Sequence, residues 1–268
     1  MADQGTSFSA SVPEKYDRYL GPMLFEPYAR DLSARLKVRA GLHVLEVACG
    51  TGIVTRSLRE RVPADGKLVA TDLSEPMLAF ARTKFTASDA VEWQQADAMA
   101  LPFPDESFDA VVCQFGLMFV PDKLLALREA RRVSTDGGQL LFNVWESLER
   151  NPLTDVAHTT AASLFPSDPP KFFETPFGCH DVSFLNGLLR ETGFKDVTVT
   201  PVDLPCVSPS AADAARGLVQ GTPLVVGITE RNGDIDAVTN AVAQAIRARF
   251  GDGPVRSRMR ALICEATR

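Results

Sequence analysis

Short apolar segments alternate with helical segments between residues 43 and 145, and this alternation constrains the fold more than any other feature of the sequence. The apolar segments begin at His43, Lys67, Val91, Phe108 and Gly137. The helical patterns among them cover about residues 53–61, 75–84 and 122–133. Apolar strands that alternate with helices are typical of a mostly parallel sheet covered by helices on both faces. The sequence therefore predicts an α/β fold.

Beyond residue 150 the alternation is interrupted by insertions. A cap insertion is expected over about 150–182 and a helical insertion over about 210–250, with further strands at Val197–Leu204 and in the alternating segment Pro254–Ala266. These bring the number of predicted strands to seven. Residues 1–40 are interpreted as an N-terminal helical lid or arm, and residues 41–268 as one elaborated domain.

Composition and charge exclude several classes of protein. Hydrophobic residues make up 45% of the chain and charged residues 23%, which is ordinary globular composition. A net charge of −6 argues against a general nucleic-acid binder, which must neutralise phosphates. No apolar run approaches the roughly 20 residues of a membrane helix, and the N-terminus lacks a secretory apolar core, so a cytoplasmic protein without a membrane span is expected. The five cysteines form no Cys-x-x-Cys pair, and no metal site is predicted.

The first predicted strand ends in a glycine-containing break. Glu46-Val-Ala-Cys-Gly50-Thr51-Gly52 follows the apolar run, and glycines allow a backbone to approach a ligand closely. Ligands of open α/β sheets bind beyond the carboxyl ends of the strands, where this break lies. A dinucleotide fingerprint would place a third glycine at position 55, and the threonine found there weakens that interpretation.

Acidic residues end the next two predicted strands. Asp72 follows Gly50 by about 20 residues, the position from which a carboxylate accepts both hydroxyls of a ribose. The alternative role for Asp72 is a helix cap, but Ser74 is expected to cap that helix and leave Asp72 free. Asp97, followed by Ala98, is placed to accept a hydrogen bond from an adenine amine, or else is a solvated loop residue. Together these features predict an adenosine-shaped slot.

Three segments carry a resemblance to a known family. VLEVACGTG, ATDLSEPML and QQADAMALPFPDESFDAVVCQFGLMFVPD resemble, in order and spacing, the class I S-adenosylmethionine-dependent methyltransferases, and among them the ubiquinone/menaquinone-type small-molecule branch. The resemblance implies a Rossmann-like, doubly wound, seven-stranded and mostly parallel sheet. Its last strand would be antiparallel and lie between the fifth and the sixth, with helical cap insertions added.

The resemblance also implies a cofactor, S-adenosyl-L-methionine, and a set of residues that bind it. Gly50, Thr51 and Gly52 would wrap the methionine part, and Glu46 beneath them would orient the amino group. Asp72 would hold the ribose, Asp97 and Ala98 the adenine, and Gln114 would contact the cofactor beside the transferable methyl. Leu73 and Met77 match apolar positions that flank the ribose and adenine, with core packing an equally weighted alternative.

The acceptor and any catalytic base are less constrained. A sulfonium methyl is a strong electrophile, so direct in-line displacement needs mainly alignment of the reacting atoms. The expected acceptor is a small molecule, aromatic or lipophilic, because apolar residues cluster after the fourth strand and in the cap; they are Phe115, Leu117, Met118, Phe172, Phe173 and Phe177. The candidates for a base are His158, His180 and Tyr16. Their alternatives are a solvated loop for the histidines and core packing for the tyrosine.

Other functions stay open at this point. An NAD(P)-dependent oxidoreductase shares the sheet and the ribose acid, but Thr55 and the lack of a Tyr-x-x-x-Lys pair disfavour it. A non-catalytic S-adenosylmethionine-binding module would have no need of the apolar cap. A nucleic-acid methyltransferase would carry an Asn/Asp-Pro-Pro-Tyr-type motif where Gln114-Phe-Gly-Leu stands. A homodimer is neither indicated nor excluded.

Overall fold

A computed structural model describes residues 12–268, and within that range the chain forms a seven-stranded sheet. The first 11 residues of the expected N-terminal arm lie outside the described residues. The strands are β1 (His43–Val47), β2 (Lys67–Asp72), β3 (Val91–Gln95), β4 (Phe108–Gln114), β5 (Ser134–Trp145), β6 (Lys195–Ser208) and β7 (Val255–Thr267). Their order across the sheet is β3-β2-β1-β4-β5-β7-β6.

The strand directions confirm the predicted Rossmann-like, doubly wound arrangement. β1 pairs in parallel with β2 and β4, β2 with β3, and β4 with β5. β7 pairs with β5 in the antiparallel direction, from Gln139 opposite Thr267 to Trp145 opposite Ala261. The last strand therefore lies between the fifth and the sixth, as expected. Because β1 to β5 are parallel, their carboxyl ends meet at one edge of the sheet.

The helices occupy the segments in which a helical pattern was expected. They are α1 (Val12–Lys15), a π-helix (Tyr16–Phe25), α2 (Glu26–Ala34), α3 (Ile53–Arg59), α4 (Glu75–Thr83), α5 (Lys123–Val133), α6 (Pro152–Ser163), α7 (Val182–Glu191), α8 (Ala211–Gln220), α9 (Leu224–Glu230) and α10 (Ile235–Phe250). Several begin at a side-chain cap that satisfies backbone N–H groups of the first turn. Asp122 caps α5, Asp181 caps α7 and Asp234 caps α10.

The core is centred on the middle strands of the sheet. Val44 and Leu45 of β1, Val112 of β4 and Leu141 of β5 are each fully buried. Neighbouring residues of a strand face opposite sides of a sheet, so burial at consecutive positions means that both faces are covered. This explains why the strands appear in the sequence as continuous apolar runs.

The chain forms two compact units. Among the described residues, the first comprises 12–27, Ser147–Thr175 and Asp203–Arg260, and the second comprises Tyr28–Glu146, Pro176–Val202 and Ala261–Arg268. The first unit holds α6 and α8 to α10, from the expected insertions at 150–182 and 210–250, and the second holds β1 to β5. β6 and β7 each contribute residues to both units. The expected boundary between residues 40 and 41 stays a prediction.

Membrane-spanning helices were sought among the described residues, and none of the helices in residues 12–268 is both long enough and apolar enough to cross a bilayer.

Candidate active site

The loop that follows β1 is built from residues in left-handed backbone conformations. Ala48, Gly50 and Gly52 have φ angles of +57°, +55° and +80°. A Cβ on Gly52 would stand 2.9 Å from the Phe85 ring, so packing requires a glycine there. A Cβ on Gly50 would meet nothing within 4 Å. Gly50 therefore presents bare backbone to open space, which is the surface a tightly bound ligand needs.

The end of β2 holds this loop in place. The Cys49 N–H donates to the Thr71 carbonyl at 2.9 Å, and the Gly50 N–H donates to Asp72 Oδ2 at 2.8 Å. The Thr71 hydroxyl donates in turn to the Glu46 carbonyl at 2.9 Å. Three hydrogen bonds thus join the carboxyl ends of two neighbouring strands and hold the loop in this conformation.

Glu46 is a buried acid on β1, two residues before the loop begins. Burial raises the pKa of its carboxyl to about 8, the side chain and the backbone of Thr55 oppose this shift, and the nearby Asp72 adds to it. Among the described residues, neither Glu46 Oε2 nor the buried Thr51 hydroxyl has a hydrogen-bond partner. Buried polar atoms are rarely left without partners. These two acceptors therefore fit the protonated amino group of a ligand seated on Gly50.

Asp72 is engaged differently from the expectation. The Ser74 side chain makes no capping hydrogen bond; instead the Ser74 N–H donates to Asp72 Oδ1 at 2.8 Å. The expectation that Ser74 caps α4 and leaves Asp72 free is therefore wrong. The reason is local, because an aspartate readily bonds the backbone N–H two residues ahead of it. Burial raises the pKa of Asp72, although its backbone N–H partners oppose that shift.

The remaining adenosine candidates lie at the same edge. Asp97 follows β3 after one residue and accepts a hydrogen bond from the Met99 N–H at 2.8 Å, with Ala98 inside this turn. The Leu73 side chain is 62% exposed beside Asp72, whereas Met77 is buried in α4. The second unit therefore brings the predicted cofactor residues of β1, β2 and β3 to one edge of the sheet.

A turn with a strained backbone follows the end of β4. Gln114 is the last residue of β4, and Phe115 follows it with a φ of +51°, which is unfavourable for an aromatic residue. Gly116 packs against the first loop, since a Cβ there would stand 2.5 Å from the Ala48 Cβ. Strained residues cluster at functional sites. This signal was missed from the sequence because nothing local marks a phenylalanine for a left-handed conformation.

Aromatic rings pack together beyond the ends of β4 and β5. This aromatic cluster comprises Tyr28, Phe115, Trp145 and Phe177. The Phe115 and Trp145 rings stack at 3.8 Å, Phe177 stacks on Trp145 at 5.8 Å, and Tyr28 meets Phe115 edge-on at 5.4 Å. Leu117 and Met118 are buried in the 3₁₀ turn that follows Gly116.

The residues proposed for the acceptor wall are thus divided between the units. Phe115, Leu117, Met118 and Phe177 belong to the second unit. Phe172 and Phe173 belong to the first, where their rings meet edge-on at 5.2 Å.

The three candidates for a base have different surroundings. His180 is exposed, and its Nδ1 lies 2.7 Å from the Phe177 carbonyl. His158 lies in α6 rather than in a solvated loop, is half-buried, and faces Phe173 edge-on at 6.3 Å. Tyr16 stacks on Phe25 at 4.6 Å in the π-helix. Only His180 belongs to the second unit.

Asp181 does not orient His180. One of its carboxylate oxygens accepts the N–H groups of Ser183 at 2.7 Å and Phe184 at 3.1 Å, so the side chain caps α7. The Asp181 carboxylate is therefore committed to the helix cap and not to the neighbouring imidazole. Capping is the favoured arrangement of the Asp181 side chain because it satisfies two backbone donors of the first turn of α7.

The cysteines of the site are packing residues, as expected. Burial raises the pKa of the Cys113 thiol to about 12, and burial raises that of Cys49 well above its usual range. Only a thiolate is strongly nucleophilic, so both groups are inert near neutral pH.

Comparison with known proteins gives the family. A model described as a methyltransferase domain matches residues 45–142. The chain is 32% identical over 203 residues to a demethylmenaquinone methyltransferase of Staphylococcus epidermidis, covering 70% of this chain and 84% of that protein. It is 44% identical over 157 residues to a ubiquinone/menaquinone biosynthesis C-methyltransferase of Hahella chejuensis, covering 55% of this chain and 61% of that protein.

A solved structure extends the likeness to the fold. Phosphoethanolamine N-methyltransferase 2 of Haemonchus contortus, in complex with S-adenosyl-L-methionine, matches with a TM-score of 0.64 at 15% identity, over 98% of this chain and 58% of that one. The likeness at this identity is one of fold. From the sequence relatives and the sheet together, the chain belongs to the class I S-adenosylmethionine-dependent methyltransferases, in the ubiquinone/menaquinone-type branch, and S-adenosyl-L-methionine is its cofactor.

Proposed function

We propose that this methyltransferase transfers the methyl group of S-adenosyl-L-methionine by direct in-line displacement to a small aromatic or lipophilic acceptor. A quinol ring is the first acceptor to test. Two relatives are named for methylation in quinone biosynthesis. The observation that carries the proposal is the aromatic cluster, which begins one residue after Gln114 at the end of β4. An apolar ring acceptor matches such surroundings better than a charged one.

The geometry of the first loop supports the proposed cofactor residues. Glu46 and Thr51 would hold the amino group of the methionine part, since their buried oxygens lack partners among the described residues. Gly50 would admit the cofactor backbone, because it has no Cβ and no side chain among residues 12–268 fills that space. When bound, S-adenosyl-L-methionine supplies an electrophilic methyl group on a sulfonium.

Asp72 has the capacity to hold a ribose as well as the loop. A carboxylate offers about four lone-pair positions, and the N–H groups of Gly50 and Ser74 occupy two of them, one on each oxygen. Each oxygen therefore retains a position for one ribose hydroxyl. Asp97 and Ala98 at the end of β3 would hold the adenine, and Leu73 would cover the ribose from the exposed side.

The acceptor must lose a proton when carbon is the attacking atom. The new carbon–carbon bond forms as the carbon–sulfur bond breaks, the sulfur keeps the electron pair, and the ring proton leaves. Of the three candidate bases, His180 is the one that belongs to the second unit, which also holds the predicted cofactor residues. Its Nδ1 contact with the Phe177 carbonyl makes Nδ1 the donor, so Nε2 carries the lone pair that accepts a proton.

The test is an acceptor screen that detects both products. The protein is incubated with S-adenosyl-L-methionine and, in parallel, a short-chain demethylmenaquinol analogue, a small phenol and an aliphatic amine. S-adenosylhomocysteine and a methylated acceptor are expected from the quinol or the phenol, at a rate well above that with the amine. Preference for the amine would reject the aromatic acceptor, and cofactor binding without turnover on any acceptor would favour the non-catalytic binding module.

A further inference from the structure

Asn143 is a polar residue in the middle of a buried strand. It lies in the apolar run of β5 between Phe142 and Val144 and is fully buried. β5 is paired on both sides, and Asn143 stands opposite Gln114 of β4 and Ile263 of β7. A buried amide in such a place is costly unless it is hydrogen-bonded. The carboxamide is satisfied on one side: Asn143 Oδ1 accepts a hydrogen bond, whereas Asn143 Nδ2 has no partner among the described residues.

The Asn143 carboxamide contacts the strained turn after β4. Asn143 Oδ1 accepts a hydrogen bond from the Phe115 N–H at 2.9 Å, and the Asn143 carbonyl shares the same N–H at 3.2 Å. Phe115 is the residue held at a φ of +51°. A side-chain acceptor on that N–H favours the unusual backbone conformation, because relaxation of the turn would leave a buried amide unsatisfied.

The turn connects Asn143 with the predicted cofactor site. Gln114, directly before Phe115, is the residue expected beside the transferable methyl. Gly116, directly after Phe115, packs so closely on Ala48 that no Cβ fits between them. The conformation of Phe115 thus affects the direction of Gln114.

We propose that Asn143 is a positioning residue for methyl transfer. It acts through the Gln114–Gly116 turn, which it holds in the conformation that places Gln114 at the cofactor edge. The inference rests on the proposed role of Gln114 in the site. Catalysis that depends on alignment is sensitive to small displacements, and a shift of about 1 Å in the reacting geometry costs roughly 100-fold in rate.

The kinetic test compares two substitutions of similar volume. Asn143→Leu removes the acceptor, whereas Asn143→Asp keeps an oxygen at Oδ1. For Asn143→Leu we expect kcat to fall at least about tenfold while the calorimetric Kd for S-adenosyl-L-methionine stays within about threefold, and Asn143→Asp should recover most of kcat. In a Gln114→Ala background, Asn143→Leu should add little further loss, since both act through the same turn.

A spectroscopic readout tests the turn without any acceptor. Trp145 stacks on Phe115, and Trp93→Phe removes the second tryptophan of the chain. In that background, Asn143→Leu should shift the Trp145 emission and Asn143→Asp should not. Should Asn143→Leu fail to fold, Asn143→Ala removes the same acceptor with less steric demand.

The outcomes separate this inference from the proposed function. Wild-type protein that methylates no acceptor contradicts the function, and the Trp145 emission still decides whether Asn143 holds the turn. An active wild type with equal kcat in Asn143→Leu overturns the positioning role. Equal losses in Asn143→Leu and Asn143→Asp overturn it as well, because packing would then matter and the hydrogen bond would not.

Discussion

At the scale of single residues, Glu46 is a carboxyl group whose charge the fold controls. With a pKa of about 8 it is protonated at neutral pH in the free protein, whereas an ammonium partner favours the carboxylate. The cofactor amino group titrates near pH 8 as well, by analogy with α-amino groups. We expect cofactor affinity to be highest near pH 8 and to fall on both sides.

Calorimetry checks this expectation. Below pH 8, binding should release about one proton, which titrations in buffers of different ionisation enthalpy measure. Glu46→Gln should bind more weakly and release no proton. Proton release that persists in the variant would exclude Glu46 as its source.

The Glu46 carboxyl also makes the stability of the folded protein depend on pH. As pH rises toward 8, we expect cofactor affinity to rise and the free energy of unfolding to fall. Between pH 4.5 and 8 the unfolded chain loses the Glu46 proton and the folded protein keeps it, so the free energy of unfolding falls as pH rises through this window. The effect is on the order of a few kcal/mol at pH 8. We expect Glu46→Gln to gain thermal stability relative to wild type on going from pH 5 to pH 8. A difference between the two that does not change with pH would contradict the raised pKa.

Asp72 is predicted to be needed for the cofactor and not for folding. Asp72→Ala removes a charged acceptor from the ribose and from the Gly50 N–H, and charged hydrogen bonds contribute about 1.5–3 kcal/mol each. We expect the Kd for S-adenosyl-L-methionine to rise roughly 10- to 100-fold while the protein stays folded. Calorimetric titration and a thermal melt measure the two quantities. Unchanged affinity would remove Asp72 from the site.

At the scale of elements, the contact between the turn after β4 and the loop after β1 is the most readily tested. Gly116→Ala would place a Cβ 2.5 Å from the Ala48 Cβ and 2.8 Å from Cys113 Sγ. The loop must then shift, and we expect a loss of cofactor affinity of about tenfold or more. Gly187→Ala in α7 is the matched control, because a Cβ there meets nothing within 4 Å.

The control should behave as an ordinary helix substitution. Gly187 lies inside α7, where alanine is favoured over glycine by roughly 0.5–1 kcal/mol. Gly187→Ala should therefore melt at an equal or higher temperature and bind the cofactor normally. Equal cofactor affinity in the two variants would show that the Ala48–Gly116 contact does not support the loop.

Most elements follow from local patterns, and a few details do not. The central strands β1, β2, β4 and β5 were predicted because burial on both faces makes them continuous apolar runs, and β6 and β7 because their residues alternate. The hydrogen bond from the Gly50 N–H to Asp72 was not foreseen, since it forms only after β1 and β2 pair. Likewise, Asn143 looks like an interruption of an apolar strand until β4 stands beside it.

At the scale of the whole molecule, the candidate bases fall in different compact units. His158 lies in the first and His180 in the second. We expect His180→Ala to lower kcat by about 100-fold or more if a general base is used, since that is the usual contribution of proton transfer. His158→Ala serves as the comparison, and both variants should keep normal cofactor affinity. Normal turnover in both variants would mean that no histidine base is used.

The negative net charge of the chain disfavours nucleic acid as a binding partner. At −6 it opposes association with phosphate backbones, so we expect no binding to duplex DNA even at low salt. A gel-shift titration at about 50 mM salt tests this expectation. A salt-sensitive complex would reopen the nucleic-acid alternative. Light scattering would decide whether the chain forms a homodimer.

The strands and helices of residues 42–145, the family, and a strand in the alternating C-terminal segment were readable from the sequence. They depend on local periodicity and on short motifs, in which the interacting residues are neighbours in the chain, whereas the antiparallel direction of the last strand was implied by the family resemblance. The charge state of Glu46, the hydrogen bond from Gly50 to Asp72, the strained Phe115 and the hydrogen bond of Asn143 required the tertiary structure. Each depends on burial or on contacts between strands far apart in sequence, and such contacts leave no local pattern.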